Sequence, residues 1–126
     1  MNDSTRHVGP MHGDFLVHVQ NGPNDETALV LSGRLDSVSA VTLREQVASL
    51  TFTESTQLTV DLRGVTFLDS AGLAALVQAH RLCGHVGAKV VFFAPDAADV
   101  WRIFDLTKFD EIFAFVAPPH APEAKR

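Results

Sequence analysis

One short run narrows the choice of fold more than any other feature. Ala88–Ala94 reads AKVVFFA and is apolar at every position but Lys89. A strand wetted on one face alternates polar with apolar residues, whereas a near-continuous apolar run suits a strand covered on both faces. Such a strand needs helices packed over its sheet, and the chain supplies them in alternation. FLVHVQ (Phe15–Gln20) reads as a first strand, and Asn21–Asp25 is turn chemistry. TALVLSG (Thr27–Gly33) then completes an antiparallel hairpin. Asp36-Ser37 is a cap signal for a helix over SVSAVTLREQVASL, with Val38, Val41, Leu43, Val47 and Leu50 as an imperfect apolar stripe. QLTVDL (Gln57–Leu62) alternates as a strand, and Ser70–His85 carries a helical pattern. Pro95 introduces a helix over DAADVWRIFDL, whose buried side is Val100, Ile103, Phe104 and Trp101. EIFAFV (Glu111–Val116) reads as a short last strand.

The order β-β-α-β-α-β-α-β predicts an α/β domain, a mixed sheet of about four to five strands with flanking helices. The β-α-β units around Val60 and Val91 should be parallel, right-handed crossovers. Residues 14–116 form the expected domain, residues 1–13 an N-terminal arm and residues 117–126 a C-terminal tail, both read as flexible. A chain of 126 residues is long enough to bury a real core without staples.

Composition excludes several classes of partner. The net charge is −5 and the Lys and Arg residues are scattered, which argues against a nucleic-acid surface. No apolar run approaches the length of a membrane span, so no membrane insertion is expected. The polar N-terminus and the lone Cys83 point to a reducing, cytoplasmic setting. His80 and Cys83 are spaced to share a metal, with His85 nearby, but further ligands are lacking and no metal is expected. His7, His12 and His120 fall in the arm and tail. There is no Gly-x-Gly-x-x-Gly and no Walker loop, so no cofactor is expected. The phenylalanines around Trp101 read as core.

The segment Thr66–Leu73, TFLDSAGL, is the most informative joint. Three readings of Ser70 compete. Asp69 or Ser70 could simply cap the helix, with Gly72 allowing close helix–strand packing. Ser70 could be a nucleophile, yet Leu68 stands where a nucleophile elbow has glycine, and no triad is visible. Ser70 could instead accept a phosphate, which a helix N-terminus tolerates and which would add about −1.5 to −2 charge to the surface. Helical spacing puts Ser70, Ala74 and Gln78 on one outward row, with Ala71 and Ala75 beside it and Leu73, Leu76 and Val77 inward. Such a flat face of small residues suits protein contact.

DLRGVTFLDSAGLAALVQAH resembles the signature of the STAS family, named for sulfate transporters and anti-sigma factor antagonists. LSGRLDSVSA resembles that family's loop with an aspartate, here Asp36, and WRIFDLTKFDEIFAFV resembles its closing helix, turn and strand. The resemblance spans nearly all of residues 14–116. It implies that Ser70 is the phosphorylation site of an anti-sigma factor antagonist, a bacterial partner-switching regulator of transcription and not an enzyme. Together with the outward face read from helical spacing, it makes Asp36, Asp69, Ser70, Ala71, Ala74 and Gln78 the expected partner-binding surface. That partner would be an anti-sigma factor with a histidine-kinase-like ATPase fold, which also phosphorylates Ser70; a PP2C-type phosphatase would reverse the step. The unphosphorylated form would bind the anti-sigma factor and so free a sigma factor. The rival within the resemblance is an adapter subunit of a lipid-transport ABC system, or of a stress-sensor complex, without a phosphorylation cycle. Lys108 departs from the family's glycine after the last helix, which sets a left-handed cap there against expectation.

Overall fold

The computed structural model describes residues 15–116; the expected arm and tail, with His7, His12 and His120, lie outside the described residues. A sheet of five strands runs in sequence order, β1 (Leu16–Asn21), β2 (Glu26–Leu35), β3 (Gln57–Leu68), β4 (Lys89–Phe93) and β5 (Phe115–Val116). β1 and β2 are antiparallel, and each later pairing is parallel. The connections hold α1 (Ser39–Ala48), α2 (Ser70–Val86) and α3 (Ala98–Thr107). The mixed α/β sheet with flanking helices is therefore the architecture the pattern predicts.

Alternation decides which strand residues are buried. Val17 and Val19 of β1, Leu29 and Leu31 of β2, and Leu58, Val60 and Leu62 of β3 are all inside. Ala40, Leu43 and Val47 of α1 and Leu73, Leu76, Ala79 and Cys83 of α2 join the same core. Each fully buried aliphatic or aromatic side chain contributes about 1.5–3 kcal/mol relative to exposure, so this cluster is the main driving force for the fold. Near α3, Phe92 stacks on Phe113 with centroids 4.3 Å apart. Phe104 meets Phe115 edge-on at 5.2 Å, and Trp101 meets Phe115 at 4.9 Å. The aromatic residues are core, though Trp101 and Ile103 are only half-buried.

Several boundaries differ from expectation. β3 does not stop at Leu62 but runs on to Leu68, because two irregularities in its pairing with β2, at Val30/Ser32 and Gly33/Arg34, absorb the break in alternation. The strand expected over Glu111–Val116 shrinks to Phe115–Val116, and Phe109–Glu111 is a turn of 3-10 helix. Phe113 is drawn into the stack on Phe92 instead of the sheet ladder. Lys108 does take the left-handed conformation, with φ 68°, and closes α3 where the sequence argued against it. On α1, Val38 and Val41 face outward, 55% and 51% exposed, so they leave the expected apolar stripe.

Candidate functional site

The end of β3 determines where Ser70 stands. Asp69 is extended, with φ −117° and ψ −173°, and its Oδ1 accepts the Gly72 amide at 3.0 Å. Its carbonyl accepts the Leu73 amide at 2.9 Å. Asp69 is thus the helix cap. Ser70 is the first helical residue and is exposed, and its hydroxyl makes no hydrogen bond among the described residues. Gly72 sets the depth at which α2 sits. A methyl group there would collide with the Leu35 carbonyl oxygen and lie 2.8 Å from Leu35 Cγ and 2.9 Å from Leu68 Cδ1. Only a residue without Cβ lets the first turn of α2 rest on the ends of β2 and β3.

That close seat brings two turns together. The Asp69 amide donates to the Leu35 carbonyl at 3.4 Å, so Asp36 and Ser70 follow residues in direct backbone contact. Asp36 Oδ1 accepts the amides of Val38 and Ser39, both at 3.1 Å, and the Ser39 hydroxyl at 3.1 Å. The Asp36 amide donates back to Ser39 Oγ at 2.9 Å, a reciprocal capping arrangement at the head of α1. Asp36 Oδ2 faces Arg34 Nε at 3.8 Å. The Arg34 guanidinium in turn lies over the Phe67 ring, 3.9 Å from its centroid.

From Ser70 the outward row continues as the spacing predicts, with Ala74 and Gln78 exposed. Ala71 is half-buried, and Ala75 is 2% exposed, so Ala75 belongs to the core and not to the surface on which it was expected. The reason is its place in the Gly72, Ala75, Leu76, Ala79, Cys83 stripe that α2 turns inward. Below Ala74 a shallow groove of about 450 Å³ is lined by Ala74, Val77, Gln78, Arg81, Leu82 and His85. Gln78 Oε1 accepts from Arg44 Nε at 3.2 Å, which ties α2 to α1. The outward-facing Val38 and Val41 add apolar surface on α1. Sequence reasoning missed them as surface residues because valine at helical spacing reads as core.

Comparison with known proteins assigns the fold to a family. The family model described as the STAS domain matches residues 17–121. This chain belongs to the STAS family. Among solved structures, it is similar to an anti-sigma factor antagonist from Mycobacterium paratuberculosis, with 24% identity, TM-score 0.66, and 92% of this chain and 94% of that one covered. It is also similar to the anti-sigma factor antagonist SpoIIAA in its unphosphorylated form, with 14% identity, TM-score 0.65, and coverage of 85% and 93%. The phosphorylated form of SpoIIAA, a Bacillus cell fate determinant, matches with 13% identity, TM-score 0.60, and coverage of 85% and 96%. At such identities the likeness is one of fold.

Elsewhere in this STAS domain Cys83, His80 and Asp61 are held in structural contacts. Cys83 is fully buried, and burial pushes its thiol up from the ordinary value, which keeps it protonated and unreactive. His80 packs its ring 5.2 Å from Phe113, while His85 is exposed at the end of α2, so the helix does not aim these three side chains at one point. Burial pushes the Asp61 carboxyl up, but the hydrogen bonds and charge of Arg63 outweigh it and hold the group below the usual range. Arg63 binds it through Nε at 3.0 Å and Nη2 at 2.7 Å. The stabilisation from this depressed carboxyl is present above the unfolded-state pKa of about 3.9 and is lost as pH falls through its lower folded value. No histidine hydrogen-bonds to Ser70 among the described residues. No helix among the described residues is long and apolar enough to cross a membrane.

Proposed function

We propose that this STAS-domain chain is an anti-sigma factor antagonist whose binding is switched off by phosphorylation of Ser70. The observation that carries the proposal is the division of labour at the joint: Asp69 caps α2, and the Ser70 hydroxyl is exposed without a structural partner. A serine kept only for capping would be engaged. The similarity to anti-sigma factor antagonists, one of them SpoIIAA in both phosphorylated and unphosphorylated forms, supports the same reading.

The chain then acts as ligand and substrate. Its unmodified form docks through Ser70, Ala71, Ala74 and Gln78, with Asp36 and Asp69 at the rim, on an anti-sigma factor of histidine-kinase-like ATPase fold. Transfer of the γ-phosphoryl group of ATP to Ser70 Oγ releases ADP and the hydroxyl proton. Hydrolysis by a PP2C-type phosphatase returns serine and inorganic phosphate. The dianion sits comfortably at its own helix start, where the dipole favours it by about 0.3–1 kcal/mol. In a docked interface it must shed water beside Asp36 and Asp69, and an unpaired charge there costs several kcal/mol.

Incubation with ATP and the candidate anti-sigma factor, followed by mass spectrometry, tests the chemistry. One phosphate on the Ser70 peptide, absent from Ser70→Ala, is the expected result. No modification, with tight binding to a transporter subunit or stress-sensor scaffold instead, would favour the adapter reading.

A further inference from the structure

We propose that Arg34 is the internal receptor for the Ser70 phosphate, moving from Asp36 to the new dianion and so holding the modified state. This rests on Ser70 being the acceptor. Arg34 and Phe67 are register partners on β2 and β3, one residue before the Leu35↔Leu68 pair. The Asp69 amide bonds to Leu35, so the backbone of Arg34 lies one residue back from the contact that joins the two turns, and its guanidinium reaches Asp36 on the first of them. On the two turns that meet there, residues 33–38 and 66–72, Arg34 is the one cation, against the anions Asp36 and Asp69.

The Arg34 side chain is positioned but not consumed. Phe67 supports the face of its guanidinium at 3.9 Å, which leaves the planar edge and its donors to approach an anion. Its pairing with Asp36 is loose, 3.8 Å, with 44% of the Arg34 side chain exposed. Contrast Arg63, which lies over Phe93 in the same manner but is locked to Asp61 by two hydrogen bonds, of 3.0 and 2.7 Å. Asp36 does not depend on Arg34 for its place, because its Oδ1 is held by Val38 and Ser39. A phosphoserine dianion carries more charge than the Asp36 carboxylate and three acceptor oxygens, and it suits bidentate contact with a guanidinium. Arg34 therefore exchanges a weak partner for a stronger one on modification. The exchange also alters the charge that Arg34 presents to a docking protein, since its guanidinium turns from the Asp36 carboxylate to the phosphate.

Phosphorus NMR of full-length chain with phosphoserine installed at position 70 during translation tests this without any kinase. A guanidinium on the phosphate lowers the midpoint of its second ionisation, ordinarily near 6. Arg34→Gln should raise that midpoint by about half a pH unit or more. Lys89→Gln, at the start of β4 and the opposite end of the parallel strands, removes a charge as a control and should leave it unchanged. The Arg34 Nε–H resonance should also shift on modification in the wild type. Equal midpoints for wild type and Arg34→Gln, or an equal rise in Lys89→Gln, would overturn the proposal. Because the phosphate is installed, failure here leaves the kinase reaction standing, and failure of that reaction leaves this result standing.

Discussion

The chain contains the dipeptide Asp-Ser at the head of two helices, and the two copies do different work. At α1, Asp36 and Ser39 bind each other reciprocally, and the Ser39 hydroxyl also donates to the Arg34 carbonyl at 2.6 Å. Ser39 is 1% exposed. At α2, the residue three after the aspartate is Gly72, which has no side chain to return the bond. The Asp69 amide turns to the Leu35 carbonyl instead. One helix start is closed on itself by a hydroxyl. The other is closed by a backbone contact to the end of β2, with Gly72 where the returning serine stands in the first. The serine of each Asp-Ser pair, Ser37 or Ser70, is exposed and makes no hydrogen bond among the described residues; the residue three positions on decides only how the aspartate's own amide is satisfied.

Three substitutions sharpen the contrast. Gly72→Ala should have the largest effect, because the new methyl meets a backbone carbonyl that cannot yield; a loss of about 3 kcal/mol is expected in denaturant unfolding. Ser39→Ala should follow, at about 1–2 kcal/mol, since it removes a buried hydroxyl and leaves the Asp36 amide without its partner. Ser70→Ala should change stability by no more than about 0.5 kcal/mol. A Ser70→Ala loss as large as that of Ser39→Ala would show that the second hydroxyl is structural after all.

The sequence revealed the joint but not its wiring. The order of elements along the chain, the helix at Ser70 and the row Ser70, Ala74, Gln78 are written in local periodicity, so they were legible. β3 beyond Leu62 was not, because irregular pairing shifts the register and makes Arg63-Gly64 look like a strand end. Ala75 and the pair Val38 and Val41 were placed on the wrong sides. Alanine is ambivalent about burial, and valine at the edge of a stripe is assigned by a small angle about the helix axis. Lys108 shows the limit of residue preference, since the packing of Phe109 and Phe113, 5.5 Å apart, accompanies a backbone that lysine adopts only at a cost of about 1–2 kcal/mol. Arg34 carried no motif of its own. Its place over Phe67 comes from strand pairing, which is non-local.

The central claim is that Ser70 is free because the fold does not need it, and that charge placed there breaks docking without disturbing the domain. Titration calorimetry of wild type, Ser70→Ala and Ser70→Asp against the candidate anti-sigma factor, with melting curves alongside, tests it most directly. Ser70→Ala should bind like the unmodified wild type. Ser70→Asp should bind about a hundredfold more weakly, equivalent to about 2.8 kcal/mol, with its melting temperature within a few degrees of wild type. Equal affinities for Ser70→Ala and Ser70→Asp would contradict the account.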